Sequence, residues 1–280
     1  MHYKTKLLLI LLIGNFLFSD SLRYNTPNNH GVIGLINIPT ARFYEESSSA
    51  FTAYRGDPDR KITISMMPYD WFEASIFYTS IKDRPYPFFE YQDYKDKGFN
   101  AKFRLKTEGN FPAIAIGFND LAGTGIYSSE YIVGSYGVDN LDLHLGIGWG
   151  RLNGGQINYG NPLSNLDESF RTRCQSQGCD LEDSNGGTFR WKDYFSGEQV
   201  GIFGGFSYLF HDDWLFKMEH DSTNIPLNEG FPERSSDYNF GFEYIGKDNF
   251  AVALNYERGD YLGLKFVFKG NSLAYNSKTY

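Results

Sequence analysis

From about residue 50 onward, apolar and polar positions along the chain alternate with a period of two. Between Asn140 and Gly150, the residues Leu141, Leu143, Leu145, Ile147 and Trp149 alternate with Asp142, His144, Gly146, Gly148 and Gly150. An extended segment there presents one apolar face and one small or polar face. The same reading holds for Phe99, Ala101, Phe103 and Leu105 against Asn100, Lys102, Arg104 and Lys106, and for Phe250, Val252, Leu254 and Tyr256 against Ala251, Ala253, Asn255 and Glu257. The pattern predicts twelve one-sided strands, at 51–57, 60–67, 70–80, 97–107, 112–121, 126–136, 139–150, 199–210, 213–222, 236–245, 249–258 and 260–269. No segment of helix length carries a 3.6 period, so the chain reads as all-β.

A soluble β-sandwich would share this alternation, and the connections separate the two. Taken in order, the even connections are short: Pro68-Tyr69-Asp70, Glu108 to Phe111, Gly137-Val138, Asp212 and Gly246-Lys247-Asp248. The long ones, 81–96, 151–198 and 223–235, all fall on the other side. A meander with its long loops at one end is the pattern of an antiparallel up-and-down transmembrane β-barrel, here of about twelve strands. Trp71, Phe72, Trp149, Trp214, Tyr238, Tyr261 and Phe268 lie near strand ends, where such a barrel carries interfacial aromatics. The last strand, Tyr261 to Phe268, resembles the carboxy-terminal recognition signal of outer-membrane barrels, with aromatics at its last and third-from-last positions.

The amino terminus reads as an address. Lys4 and Lys6 precede the apolar run Leu7 to Phe18, and Ser19, Asp20 and Ser21 follow it. Twelve residues are too few to span a bilayer and suit a secretory h-region, so residues 1–21 are expected to be a signal peptide. The organisation expected is then a pre-barrel segment at 22–49, an outer-membrane barrel at 50–269 with a long loop at 151–198, and a tail at 270–280. No cysteine of a lipoprotein cleavage site follows the h-region. Export to an oxidising compartment implies a disulfide between Cys174 and Cys179, and no His or third Cys lies near them to complete a metal site.

Composition narrows the classes further. The single apolar run excludes a bundle of membrane helices. A net charge of -8 without a basic block excludes a nucleic-acid surface, and 18% aromatic residues exclude a disordered chain. Charges on a lipid face cost about 2 to 4 kcal/mol each near the midplane, so Lys61, Glu73, Lys102, Arg104, Lys106, Glu130, Asp142, His144, Lys217, Glu219, Glu243, Glu257 and Lys265 are expected to face the lumen. Three interiors fit such a lining: a salt-bridged filling, a hydrated passage or a catalytic site.

Several apparent motifs do not carry chemistry. Gly146-x-Gly148-x-Gly150 lies inside an alternating strand with no helix behind it, and Gly123-Thr124-Gly125 lacks the Gly-Lys-Ser/Thr of a phosphate loop. Ser129 with His144, and His220 with Asp221, lack a strained nucleophile turn or an oxyanion donor. Glu219 and Glu243 are a carboxylate pair whose separation the sequence does not give. No enzymatic activity, cofactor or metal is expected.

The motifs Gly31 to Arg42 (GVIGLINIPTAR), Lys95 to Lys102, Asp120 to Gly125 with Ser129-Glu130-Tyr131, and Gly146 to Gly150 occur in an order that resembles the YjbH/GfcD family. The resemblance runs over about residues 31 to 150 and weakens beyond. It implies an outer-membrane β-barrel serving exopolysaccharide or capsule export or assembly, as an accessory or a passage. Lipid, polysaccharide and periplasmic export proteins are the implied partners; relatives of this type are often longer lipoproteins with a second barrel. The candidate residues for the lumen or a polysaccharide path are Arg42, Lys102, Arg104, Asp120, Glu130, Asp142 and His144. Arg42 either enters the lumen or meets a periplasmic partner, and the segment around Pro39 is otherwise an entry strand near the barrel seam. The long loop 151–198 is expected to fold over or into the mouth, gating it or touching sugar through nearby Tyr and Trp. A structural or docking barrel with a plugged lumen, or a general porin, are the alternatives.

Overall fold

The period-two segments turn apolar side chains to one side and small or charged ones to the other, and they assemble into a single antiparallel sheet. The computed structural model describes residues 25–86, 89–121, 123, 125–173, 193–224, 234–246 and 249–271. The expected signal peptide, the two cysteines and the tail beyond Asn271 lie outside the described residues.

The strands are β1 (Ser48–Arg55), β2 (Asp59–Tyr69), β3 (Phe72–Tyr86), β4 (Phe89–Lys106), β5 (Ala113–Asn119), β6 (Ser129–Val138), β7 (Leu141–Gly148), β8 (Asn158–Gly160), β9 (Gln199–His211), β10 (Trp214–His220), β11 (Tyr238–Ile245), β12 (Phe250–Glu257) and β13 (Tyr261–Asn271). Neighbours in sequence pair from β1 to β7, β7 pairs β9, and β9 continues through β10 to β13. β1 returns to β13 from Ser48↔Asn271 to Arg55↔Leu264, so twelve strands close into a barrel without free edges. β8 is a short addition that extends β9 at Gln199 to Gly201 on the rim.

The barrel is apolar outside and charged inside. Ile62, Ile64, Met66, Tyr78, Phe99, Leu143, Leu145, Leu254 and Leu264 point outward and are 39 to 66% exposed. The residues between them, among them Lys61, Ser65, Asn100, Lys102, Asp142, His144, Asn255 and Lys265, are buried in the lumen. One end carries short turns, after β2, β4, β6, β9 and β11; the other carries the longer connections 120–128, 149–198 and 221–237. At the short-turn end Tyr69 stacks on Trp71 at 5.4 Å, Phe72 on Phe103 at 5.0 Å, and Trp214 leans on Tyr244 at 5.1 Å, forming an aromatic girdle.

Two sequence expectations change. Residues 81–96 are not a long loop: β3 and β4 run on past Ile81↔Tyr94 to Tyr86↔Phe89. Pro85 has no N–H for the ladder, and the register shifts on both sides of it, which explains why the pattern breaks while the strands continue. Trp149 does not join the outer face of β7. It lies beyond the strand's end at Gly148, is buried, and donates its Nε1–H to Asn161 Oδ1 at 3.0 Å.

Candidate functional site: the filled lumen

A ring of twelve strands with charged inward side chains needs something to neutralise and hydrogen-bond them. Residues 25–44 do this. They fold inside the barrel as an irregular hairpin, held by the bridges Pro27↔Ile33 and Gly34↔Pro39. Asn28 N–H donates to Val32 O at 2.8 Å, Asn29 N–H to Ile36 O at 2.7 Å and Thr40 N–H to Ile33 O at 3.1 Å. Ile33, Leu35, Ile36 and Ile38 are at most 1% exposed. The segment is neither an entry strand at the seam nor an external arm.

Turn bonds within the hairpin satisfy part of its backbone, and the wall takes a second set of N–H and C=O groups. Glu219 accepts from the N–H groups of Ile36 (2.8 Å), Asn37 (2.8 Å) and Ile38 (3.3 Å). Glu73 accepts from Ile33 N–H at 2.8 Å. Lys102 Nζ donates to the carbonyls of Ile33, Thr40 and Arg42 at 3.2, 3.3 and 2.7 Å, and Lys265 Nζ donates to Pro27 O at 2.5 Å. Lys217 Nζ donates to Thr26 Oγ1 at 2.8 Å, and Thr26 in turn donates to Glu243 at 2.9 Å. Asn37 bridges Asp221 and Glu257 through its side-chain amide, at 3.1 Å to each. The wall's ions also pair with one another: Lys102 with Glu73 and Lys217 with Glu243, both at 2.5 Å, and Lys265 with Glu243 at 3.4 Å.

Apolar contact completes the fit. Ile33, Leu35, Ile38, Ala41, Phe43 and Tyr44 join one buried cluster with Ala115, Tyr131, Val133, Leu152 and Phe203 of the wall and rim. At Gly31, φ is +78° and an added Cβ would lie 2.0 Å from Thr63 Cγ2, so only glycine lets the turn approach β2.

Both ends of the hairpin sit at the short-turn mouth. Asn25 Nδ2 donates to Phe43 O at 3.1 Å, and both residues line a cavity of about 390 Å³ with Tyr44, Asp213, Asn249 and Lys269. Arg42 holds this root: its Nε and Nη2 donate to Asp142 at 2.8 and 2.5 Å, and Nη2 also meets Glu108 at 2.5 Å. Ala41 N–H donates to Ser135 Oγ at 2.9 Å, which lies 2.8 Å from His144 Nδ1. Phe43 is covered by Lys102 and Arg104, at 4.5 and 4.6 Å from its ring centre.

The seven candidates therefore separate into three places. Arg42, Lys102, Asp142 and His144 meet at the hairpin and its root. Arg104 is half-buried at the short-turn rim, 3.6 Å from Asp70. Asp120 and Glu130 fasten connections at the opposite mouth. Glu130 receives both terminal nitrogens of Arg173, at 2.7 and 2.9 Å, and Phe195 N–H at 2.7 Å, which ties the long loop to the wall. Asp120 adopts φ +53° and accepts from Tyr127 N–H at 3.1 Å. Burial, and then the nearby charge of Asp96, push its carboxyl up to about 7. Sequence reasoning missed Glu108, Ser135 and the polar residues Thr26, Asn28, Asn29 and Asn37. The signal for them was a run of amides and glycines almost free of charge ahead of a barrel with a charged interior.

A closed antiparallel sheet with an apolar exterior, a charged lumen and an internal hairpin defines the class: an all-β, up-and-down barrel. The chain belongs to the YjbH family, since the family model described as exopolysaccharide biosynthesis protein YbjH matches residues 26–279. It is 32% identical over 242 residues to the "Uncharacterized lipoprotein YjbH" of Escherichia coli K12, covering 83% of this chain and 33% of that protein. It thus spans about a third of the length of this curated relative. Among solved structures it is similar to a KdgM porin, with a TM-score of 0.43 and 13% identity over 79% of this chain and 97% of the other. It is also similar to a NanC porin, with a TM-score of 0.39 and 9% identity over 80% and 98% of the two chains.

Proposed function

We propose that this protein is an outer-membrane barrel that serves exopolysaccharide export or assembly as a docking scaffold with its lumen closed at rest, exported by a signal peptide and acting without covalent chemistry. The observation that carries the reading is the hairpin at 25–44, whose backbone uses the lumen's charges as partners. A general porin needs those charges free to water. The apolar outer face and the aromatic girdle support membrane insertion, with the short-turn end toward the periplasm. The root of the hairpin and its 390 Å³ cavity would then face periplasmic export proteins.

A catalytic reading has one arrangement in its favour, Ser135 beside His144 with Asp142 3.7 Å from Nε2. Ser135 is buried against Ala41 and Asp142 is engaged by Arg42, so the set serves to seat the hairpin.

The test is complementation of a strain lacking the protein. Replacing Arg42, Asp142 and Glu108 by alanine should abolish polymer output while the barrel still reaches the outer membrane. Unchanged output would refute the role assigned to the hairpin. The chain without residues 1–21, inserted in planar bilayers, should be electrically silent; a steady open conductance would favour a porin.

A further inference from the structure

We propose that the lumen is a cation-selective conduit stoppered by residues 25–42, and that the stopper leaves as a unit through the short-turn mouth to admit an uncharged saccharide chain rather than a polyanion. The proposal rests on the membrane-barrel reading above.

Four observations lead to it. Both ends of the hairpin lie at one mouth, joined by the Asn25–Phe43 hydrogen bond, so it can withdraw without threading a chain end across the barrel. Residues 25–41 contain no Asp, Glu, Lys or Arg. Because Lys102–Glu73, Lys217–Glu243 and Lys265–Glu243 are pairs within the wall, withdrawal strands none of these ions; it uncovers a lumen lined by them and by the apolar patch at Ala115, Tyr131, Val133 and Phe203, in which water replaces the hairpin's backbone groups at the charges. Arg42 is the one fixed charge in the segment, and its clasp on Asp142 and Glu108 lies at the root, where a partner outside the barrel would reach it first.

The charge balance gives the selectivity. Among the described residues eleven acidic and five basic side chains are buried, and Arg173 and Arg234 neutralise two of the acids, Glu130 and Asp237, so acids still outnumber bases. An opened lumen would hold a negative potential that concentrates cations and repels acidic polymers.

The test uses the chain without residues 1–21 in planar bilayers under a KCl gradient, with urea added below the concentration that unfolds the barrel. Insertion is scored separately by the shift in gel migration on heating. A tethered form carries Ala41→Cys and Ser135→Cys, which replace a pair now in contact, in a background of Cys174→Ser and Cys179→Ser. The expected result is stepwise opening in urea with potassium preferred over chloride at least three-fold. Openings should be at least ten-fold rarer in the oxidised tethered form and return with reductant. A neutral glucan oligosaccharide should block the open current and a uronate oligosaccharide should not. Openings that ignore the tether, chloride preference, block by the uronate, or an inserted barrel that never opens would each overturn the proposal. A chain that fails to insert overturns the membrane reading itself, and the proposal with it.

Discussion

The wall and the hairpin inside it satisfy their backbones in opposite ways. Each of the twelve wall strands bonds to two neighbours, so the ladder is self-sufficient and its side chains are free to serve elsewhere. The hairpin has two isolated bridges and a few internal turns, and it relies on Glu73, Glu219, Lys102, Lys217 and Lys265 for a large share of its other N–H and C=O groups. The charges of the lumen are thus structural partners of a segment that carries almost no charge of its own. Substitutions inside should unseat the hairpin and spare the barrel, and substitutions outside should do the reverse.

The largest effect is expected from Lys102→Met, which leaves Glu73 buried without its cation and takes the lysine donor from the Thr40 and Arg42 carbonyls, while Ile33 O keeps Thr40 N–H. Removing one partner of a buried pair costs about 3 to 5 kcal/mol, so hairpin amides should exchange far faster while the heat-resistant migration of the barrel persists. Adding Glu73→Leu should recover much of the loss; no recovery would mean that the carbonyls matter more than the stranded carboxylate. Leu145→Arg tests the other side. Leu145 is 66% exposed on the outer face, and a charge there should cost about 2 to 4 kcal/mol of insertion into lipid vesicles if it lies near the midplane, leaving hairpin exchange unaltered in the molecules that insert. Gly31→Ala should loosen the hairpin by about 1 to 3 kcal/mol through the contact with Thr63 and the positive φ, read as faster exchange of the Val32 and Ile33 amides.

The most local effect is at the long-loop end. Asp120 sits outside the strands, with its carboxyl raised to about 7 by burial and the charge of Asp96. The folded loop then binds the proton more tightly than the open one. Its stability is full below the ordinary carboxylate range near 4 and falls as pH rises toward 7, by at most about 1.4 kcal/mol per pH unit. Exchange of the Tyr127 amide, corrected for its intrinsic rate, should be faster at pH 8 than at pH 5, and Asp120→Asn should remove the difference. A pH-independent opening in the native chain would show that Asp120 does not govern this loop.

The difference between wall and hairpin also decides what could be read from the sequence. Strand alternation is a local signal, and it located the twelve barrel strands, the short-turn end and the inward charges from Lys61 to Lys265 except Lys106, which is exposed past the register shift at Arg104. It failed where the local rule was interrupted: at Pro85, where strands continue through a register shift, and at Trp149, where the strand had already ended. The hairpin has no period because its geometry is imposed by side chains up to 238 residues away, as in the Lys265–Pro27 bond. Arg42 was legible as an isolated cation ahead of the barrel. Its partners Asp142 and Glu108 were not legible as a pair, since only closure of the barrel brings a strand residue and a turn residue to one root. Asp120 and Glu130 were found as acids beside glycine-rich or aromatic segments, and their role as loop fasteners needed the positions of Tyr127 and Arg173.

Hydrogen exchange at Ile36, Asn37 and Ile38 in the lipid-inserted chain tests the central claim most directly, because these three amides donate to Glu219 and belong to no strand. Protection comparable to that of the β10 and β11 amides, lost on Glu219→Ala while the strand amides stay protected, is the result expected of a hairpin seated in the lumen. Exchange at free-peptide rates in the native chain would contradict it.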